Sequence, residues 1–287
     1  MLISGFTLVR NATLLDFPIE ASILSLLPVV DEFVVNVGHS DDDTLDRVRA
    51  LGDTRIRIIE SAWDPALGTA MLAVETQRAM AACRSPWGIY IQADEVFADG
   101  AAARVRYAIE RHDGDRGVEG VLVEYRHFYG GFEAVARSRK WYRREVRAVR
   151  LDAALGVHSY RDAQGFRVGP ADRRVRAVAS RAVIHHYGWA RPAWALTSKR
   201  AADRALDPVR RRQLDGRPLL PWIPGIEPFH DEHPVAARGW IAARRTAESL
   251  VGSRQGAPFQ FRLRLLGLLE RWTGWRPFEF RNYVEPK

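Results

Sequence analysis

The sequence predicts an α/β protein built on a mostly parallel central sheet with a smaller antiparallel portion. Two observations predict it. Through the first hundred positions, short strand-like apolar runs alternate with helical patterns of about 10–15 residues, the signature of a sheet covered on both faces. Beyond residue 118 the helical patterns give way to consecutive strand-like runs.

Ile3 to Val9 is apolar and β-tolerant, and Arg10-Asn11-Ala12 turns the chain into an apolar-periodic helix with Ile19, Ile23, Leu24 and Leu27, stopped near Pro28. Phe33 to Val37 is a second strand, followed by GHSDDDT and a short helix through Leu45, Val48 and Leu51. Arg55 to Glu60 is a third strand. After the Trp63–Gly68 loop, Thr69 to Cys83 forms a long helix and Trp87 to Gln92 a fourth strand. VEGVLVEYRHFYGG, WYRREVRAVRL and RVRAVASRAVIHHYG read as further strands, with Asp162 to Arg167 as a turn. Residues 190–215 read as helical, PLLPWIPGIEPFHDEHP as irregular, and FQFRLRLLGLLERW as a run whose Arg262 and Arg264 alternate with Phe261, Leu263 and Leu265. The expected division is a catalytic-type domain over 1–215 and an extension over 216–287, packed on it or at a membrane surface.

Lys and Arg total 43 against 35 Asp and Glu, a formal charge of +8 concentrated as arginine after residue 135. That excess suits phosphate, an anionic surface or nucleic acid and does not choose among them. The single cysteine, Cys83, excludes an intrachain disulfide and a thiolate metal cluster and fits a reducing compartment. No apolar run reaches the ~20 residues of a membrane span, so the expected location is cytoplasmic.

In sheets of this kind ligands bind outside the carboxyl ends of the strands. Arg10-Asn11, Asn36 to Asp43, Asp64 and Gln92 to Glu95 all fall at such ends. IYIQADEVF raises the sharpest question, because adjacent carboxylates after a buried strand are costly unless paired, hydrated or bound to a cation. Asp94 as a ligand of a hard divalent ion and an acidic helix cap are both consistent with the pattern. The pair His185-His186 reads either as structural or as a source of one ligand nitrogen, since strand alternation turns the two rings to opposite faces. GHSDDDT lacks the glycine spacing of a dinucleotide fingerprint or a P-loop.

The order of VNVGHSDDDT, a helix with Gln77, Arg78 and Ala79, and Gln92-Ala93-Asp94-Glu95 resembles the N-terminal part of family 2-like, nucleotide-sugar-dependent glycosyltransferases of the A-type, Rossmann-like fold. The resemblance covers residues 3 to about 100, and more loosely the stretch to about 200. It implies transfer of a sugar from a nucleotide-diphosphate sugar to a saccharide or lipid-linked hydroxyl acceptor, with Mn2+ or Mg2+ as cofactor. Carried over by position, Asn11 or Ala12, Asn36 and Asp64 line the nucleotide pocket. Asp94 holds the cation, His186 is a later metal or phosphate contact, and Arg191 and Lys199 face the diphosphate. Two departures stand out: Asn36 replaces the usual first aspartate, and Gln92 replaces the first acid of Asp-x-Asp.

An inverting transfer requires a base, for which Asp162 is the first candidate, with Glu124 and Glu145 behind it. Tyr125, His127, Phe128, Tyr129, Trp141 and Tyr142 are expected to form an acceptor platform. Rival readings are a non-catalytic scaffold of the same fold and a nucleic-acid-binding protein using the arginine-rich 137–150 and 173–181 segments. The carboxylate-rich strand ends argue against the second.

Overall fold

In the computed structural model, which describes residues 1–137, 141–163, 165–206, 218–244, 251, 261–277, 279 and 281–286, strand β1 (Ile3–Val9) is buried along its whole length. It pairs in parallel with β2 (Glu32–Gly38) on one side and β4 (Trp87–Tyr90) on the other, and β2 pairs in parallel with β3 (Ile56–Ser61). The antiparallel strand β8 (Arg144–Arg150) joins β4 to β6 (Gly120–Tyr129), and β6 runs parallel to the long strand β11 (Arg173–Trp189). The central order is therefore β3-β2-β1-β4-β8-β6-β11. Both faces are covered: Val9, Phe33, Ile89 and Ala148 pack with the helices α1 (Ile19–Leu26), α2 (Thr44–Arg49) and α4 (Ala101–His112). Phe6, Tyr90, Val146 and Phe166 form the core under α3 (Ala70–Ala81). The mostly parallel α/β class is the one observed.

The antiparallel portion is larger than expected. A hairpin of β9 (Val157–Tyr160) and β10 (Gly165–Val168) adds to one end of β11, and β5 (Glu95–Phe97) pairs antiparallel with its other end. The short strand β7 (Ala134–Ala136) links β6 to β12 (Ile226–Pro228), inside the segment read as irregular.

Several expected boundaries move for local reasons. The first helix starts at Ile19, several residues beyond the Arg10-Asn11-Ala12 turn, and the Asp42 carboxylate takes the N–H groups of Thr13 and Leu14 in the turns between. The fourth strand ends at Tyr90, since the Gln92 N–H donates to Glu95 and its carbonyl accepts from Ser22. Gly165–Val168 is strand, so the turn at Asp162 is shorter than read. Helix α4 was not anticipated. Helix α5 (Ala193–Leu206) covers part of the expected 190–215 helix, and residues 207–217, with the expected domain boundary, lie outside the described residues.

Past that boundary, α6 (Val235–Ala242) packs Ala237 and Ile241 with Ala21 of α1, and Arg244 donates to Asp16. Phe261–Thr273 is helical (α7), so the alternation of arginine and leucine at its start does not make a strand. Finally β13 (Tyr283–Val284) pairs in parallel with β11, and Asn282 reaches Arg167 and Glu145.

At the centre lies an ion pair with no solvent exposure. Arg147 donates through Nη2 and Nε to Glu95 at 2.7 and 3.2 Å, and the Tyr125 hydroxyl and Gln92 N–H complete the carboxylate's shell at 2.8 and 3.0 Å. Val121 pairs with Ala148 while Leu122 pairs with Val146, so Arg147 sits in a bulge. The bulge re-aims it across the sheet. Its guanidinium also lies 5.2 and 5.3 Å from the Tyr90 and Tyr125 ring centres. Removing one partner strands a buried charge, so Arg147→Met is expected to lower stability by about 3–5 kcal/mol, read as a lower urea midpoint at unchanged slope.

Candidate functional site

The site grows from the point where β5 meets β11. Because His186 stands opposite Glu95 in that antiparallel ladder, Asp94 is carried beside His186, and its backbone carbonyl accepts the Tyr187 N–H at 2.8 Å. Adjacent carboxylates thus part company: Glu95 enters the core to meet Arg147, and Asp94 meets a different set of cations. Arg191 donates Nη2 to Asp94 Oδ2 at 2.7 Å, Lys199 Nζ stands 3.5 Å from that oxygen, and His186 Nε2 stands 3.7 Å away. Arg191 is buried, lies over the Phe17 ring, and also donates to the Leu15 carbonyl at 2.6 Å, tying the cluster to the loop after β1. Lys199 comes from α5 and lies over Trp189.

Burial alone would raise the Asp94 carboxyl, but His186, Lys199 and Arg191 hold it well below the usual carboxylate range. Burial pushes the Lys199 ammonium down, with Arg191 adding to the effect. The outcome is one arginine and one lysine gathered around one carboxylate. Two buried donors nearby, Arg191 Nε and Trp141 Nε1, have no hydrogen-bond partner among the described residues. That combination suits a multiply charged anion with several acceptor oxygens.

Strand alternation holds at the histidine pair. His185 turns into the cluster of Phe128, Tyr187, Phe229 and His233, where burial lowers its pKa to about 3, and His186 turns to Asp94. A register shift between His186 and Trp189 then places Gly188 against the pair. A Cβ there would lie 2.6 Å from His186 Nε2 and 2.8 Å from Asp94 Oδ2, so only glycine keeps that space clear. Among the described residues no group of three or more His, Cys, Asp or Glu side chains is arranged to hold a metal ion. Asp94 and His186 still offer one oxygen and one nitrogen 3.7 Å apart, and Mg2+ or Mn2+ needs few protein ligands when phosphate oxygens and water complete its shell. The donor pair fits such an ion in company with an anion, since Arg191 and Lys199 oppose a lone cation.

The other expected residues fall as follows. Asn11 has a left-handed backbone (φ 54°), bonds the Asp41 N–H through its side-chain oxygen, and ties the loop after β1 to the loop after β2. Asn36 has no solvent exposure: its amide donates to Glu75 and its oxygen accepts from Ser61, so its polar atoms are spent on the interior. Asp64 is exposed and caps the short helical turn at Pro65–Leu67. Asp162 sits at the tip of the β9–β10 hairpin between Arg161 and Ala163, both with positive φ, and the Ala163 carbonyl accepts from Gln92 at 3.2 Å, which brings the hairpin tip to the Gln92-Ala93-Asp94 loop. Glu124 is exposed, and alternation along β6 turns it to the face opposite Tyr125, whose hydroxyl meets Glu95; it is therefore placed away from Asp94.

The expected acceptor platform is corrected in part by burial. Phe128 belongs to the core with Tyr187, Tyr129 donates to the Pro221 carbonyl, and His127 is sandwiched between Tyr125 and Trp141. These three rings are buried, while Tyr125, Trp141 and Tyr142 are partly exposed. The sequence pattern did not single out Arg147, Glu75 or Gly188, each of which acts through a partner far away in the chain.

No family model matches the chain, and no curated protein matches it. Among solved structures it overlays on part of S. aureus TarS (residues 1–349) in complex with UDP, at 14% identity and a TM-score of 0.35, covering 46% of this chain and 38% of that one. It also overlays on part of glucosyl-3-phosphoglycerate synthase from Mycobacterium tuberculosis in complex with Mn2+, UDP and phosphoglyceric acid, at 23% identity and a TM-score of 0.33, covering 44% and 43% of the two chains. The chain spans less than half the length of either structure.

Glu145, buried beside Asn282, titrates in an unusual range: burial pushes its carboxyl up to about 7 against the pull of Arg147, Asn282 and Arg167. The folded chain therefore holds a proton that the unfolded chain releases near pH 4.5, and this residue's contribution to stability falls as pH rises from about 4.5 to about 7. Glu145→Gln is expected to remove that fall, its advantage over the wild type widening through the window and levelling off above it in urea midpoints taken across the range.

Proposed function

We propose that the chain is a glycosyltransferase that uses a nucleotide-diphosphate sugar, with the diphosphate seated against Arg191, Lys199 and His186. The observation that carries this reading is the cluster itself: one carboxylate surrounded by two cations and a histidine, placed outside the carboxyl ends of a mostly parallel sheet. The rival nucleic-acid reading finds less support, because Arg143, Arg144, Arg147, Arg173 and Arg176 in its two basic segments are already paired with glutamates.

In this reading the loops after β1, β2 and β3 receive the nucleoside. Asn11 fixes the first two loops to each other, Asn36 bonds inward to Glu75 and Ser61, and Asp64 stands at the rim of the third. Arg191 and Lys199 stabilise the negative charge that builds on the diphosphate as the bond from the anomeric carbon to the phosphate oxygen breaks. Asp162 takes the proton of the acceptor hydroxyl while that oxygen forms the new bond from the opposite side of the sugar, giving inversion. Support for Asp162 is its place at a hairpin tip beside the Asp94 loop, on a turn flanked by two left-handed non-glycine residues. Such backbone strain gathers at functional sites. Mn2+ or Mg2+, held by Asp94 and His186, would neutralise diphosphate charge when bound. Because Arg191 and Lys199 repel a lone cation, metal and nucleotide are expected to bind interdependently.

Calorimetric titration with UDP, GDP and dTDP, each with and without Mn2+, tests the reading. One nucleotide should bind, more tightly with Mn2+. Asp94→Ala should lose the metal dependence while keeping residual nucleotide affinity, because Arg191 and Lys199 remain. Asp162→Asn should bind normally and, once an acceptor is in hand, turn over about 10²–10⁴-fold more slowly. A folded wild-type protein that binds none of the three would overturn the transferase reading and favour the scaffold.

The acceptor is proposed to be presented at an anionic lipid surface. Leu265 and Leu268 are each 54% exposed, Trp272 88% and Trp275 63%, at spacings that bring the three helical residues to one side of α7. The sequence of the same segment also carries Arg262, Arg264 and Arg271, whereas Arg276 is buried and paired with Glu270 and Glu279. No described helix is long and apolar enough to cross a membrane. Vesicles containing phosphatidylserine should retain the wild type at low salt and release the double variant Trp272→Ser, Trp275→Ser; equal behaviour of the two would remove the proposal.

A further inference from the structure

His186 is reached by a second histidine that the proposed chemistry does not use. His127 Nδ1 lies 3.0 Å from His186 Nδ1, and His127 Nε2 lies 2.8 Å from the backbone carbonyl of Tyr142. The His127 ring is 3% exposed and held by near-parallel contacts with Tyr125 and Trp141, with interplanar angles of 12° and 28°. Its orientation is fixed on both faces.

The hydrogen-bond roles along this chain follow from one end. A carbonyl oxygen only accepts, so His127 Nε2 must carry the hydrogen. A buried imidazole with no carboxylate among its hydrogen-bond partners stays neutral, so its Nδ1 is then a bare acceptor. His186 Nδ1 must therefore donate, and in the neutral ring this places the lone pair of His186 on Nε2, whereas an imidazolium paired with Asp94 carries a hydrogen on both nitrogens. Nε2 is the nitrogen 3.7 Å from Asp94 Oδ2, with the Gly188 backbone too close to both for a Cβ.

We propose that His127 is a positioning residue: relayed from the Tyr142 carbonyl, it sets the tautomer of His186 so that Nε2 presents a lone pair, able to ligate a divalent cation, beside Asp94. In the opposite tautomer Nε2 would carry a hydrogen and be unable to ligate. The orientation of a ligating ring by the hydrogen bond at its other nitrogen is a general device, and its removal commonly lowers metal affinity about 10–100-fold. The metal part of this inference rests on the transferase reading; the tautomer part does not.

Two measurements separate them. In metal-free protein labelled with 15N-histidine, at a pH high enough for the ring to be neutral, the resonances lost in His186→Gln should show a protonated Nδ1 and a bare Nε2. A protonated Nε2 with a bare Nδ1 at His186 would overturn the relay whatever the protein catalyses. In the presence of saturating UDP, Mn2+ affinity read by electron paramagnetic resonance should fall about 10–100-fold in His127→Phe, which keeps an aromatic ring between Tyr125 and Trp141 but offers no acceptor. His127→Gln, whose amide can donate to Tyr142 and accept from His186, should recover part of it. Unchanged Mn2+ affinity in a folded His127→Phe protein would overturn the positioning role. Failure of the wild type to bind Mn2+ with UDP would count against the metal reading, while the tautomer measurement would still decide the relay.

Discussion

The buried pair between Glu95 and Arg147 is the constraint on which the rest of the site depends. A carboxylate without solvent exposure is tolerable only when its acceptor positions are filled, and here a bulged arginine, a tyrosine hydroxyl and a backbone N–H fill them. Anchoring Glu95 stops the strand at Tyr90, starts β5, and pairs that short strand with β11. Asp94, one residue earlier, is thereby carried beside His186, Arg191 and Lys199.

Around Asp94 the electrostatics are arranged by three segments distant in sequence. Arg191 follows β11, Lys199 projects from α5, and His186 lies within β11, so the position of one strand end determines all three. Asp94 binds these groups into a preformed cationic site and keeps its own charge to low pH. The excess of positive over negative charge is small without a ligand and suits a diphosphate accompanied by a divalent cation.

The same logic explains why polar residues at the ends of β1 to β3 differ in what they do. Asn11 and Asp42 spend their hydrogen bonds on loop backbone, giving the first two strand ends a common conformation. Asn36 faces inward and meets Glu75 and Ser61. These groups spend their hydrogen bonds internally, whereas Arg191 Nε and Trp141 Nε1, near Asp94 and His186, keep unfilled donors among the described residues.

By itself the sequence determined the alternation of strand and helix through residue 100, the gathering of polar groups at strand ends, and the opposite facing of His185 and His186, because these follow from periods of two and about 3.6 residues. It also made Asp94 conspicuous, since two carboxylates after an apolar strand need partners. Only the tertiary structure decided which partner each carboxylate took. Arg147 reaches Glu95 through a bulge that leaves no compositional mark, and His127 reaches His186 across paired strands fifty-nine positions apart. Of the aromatic residues that looked like a platform, Phe128 is buried with Val135, Phe229 and Ile241, and Glu124 is turned away by the alternation that turns Tyr125 inward. Contacts of that kind depend on register between strands far apart in the chain, which local periodicity does not encode.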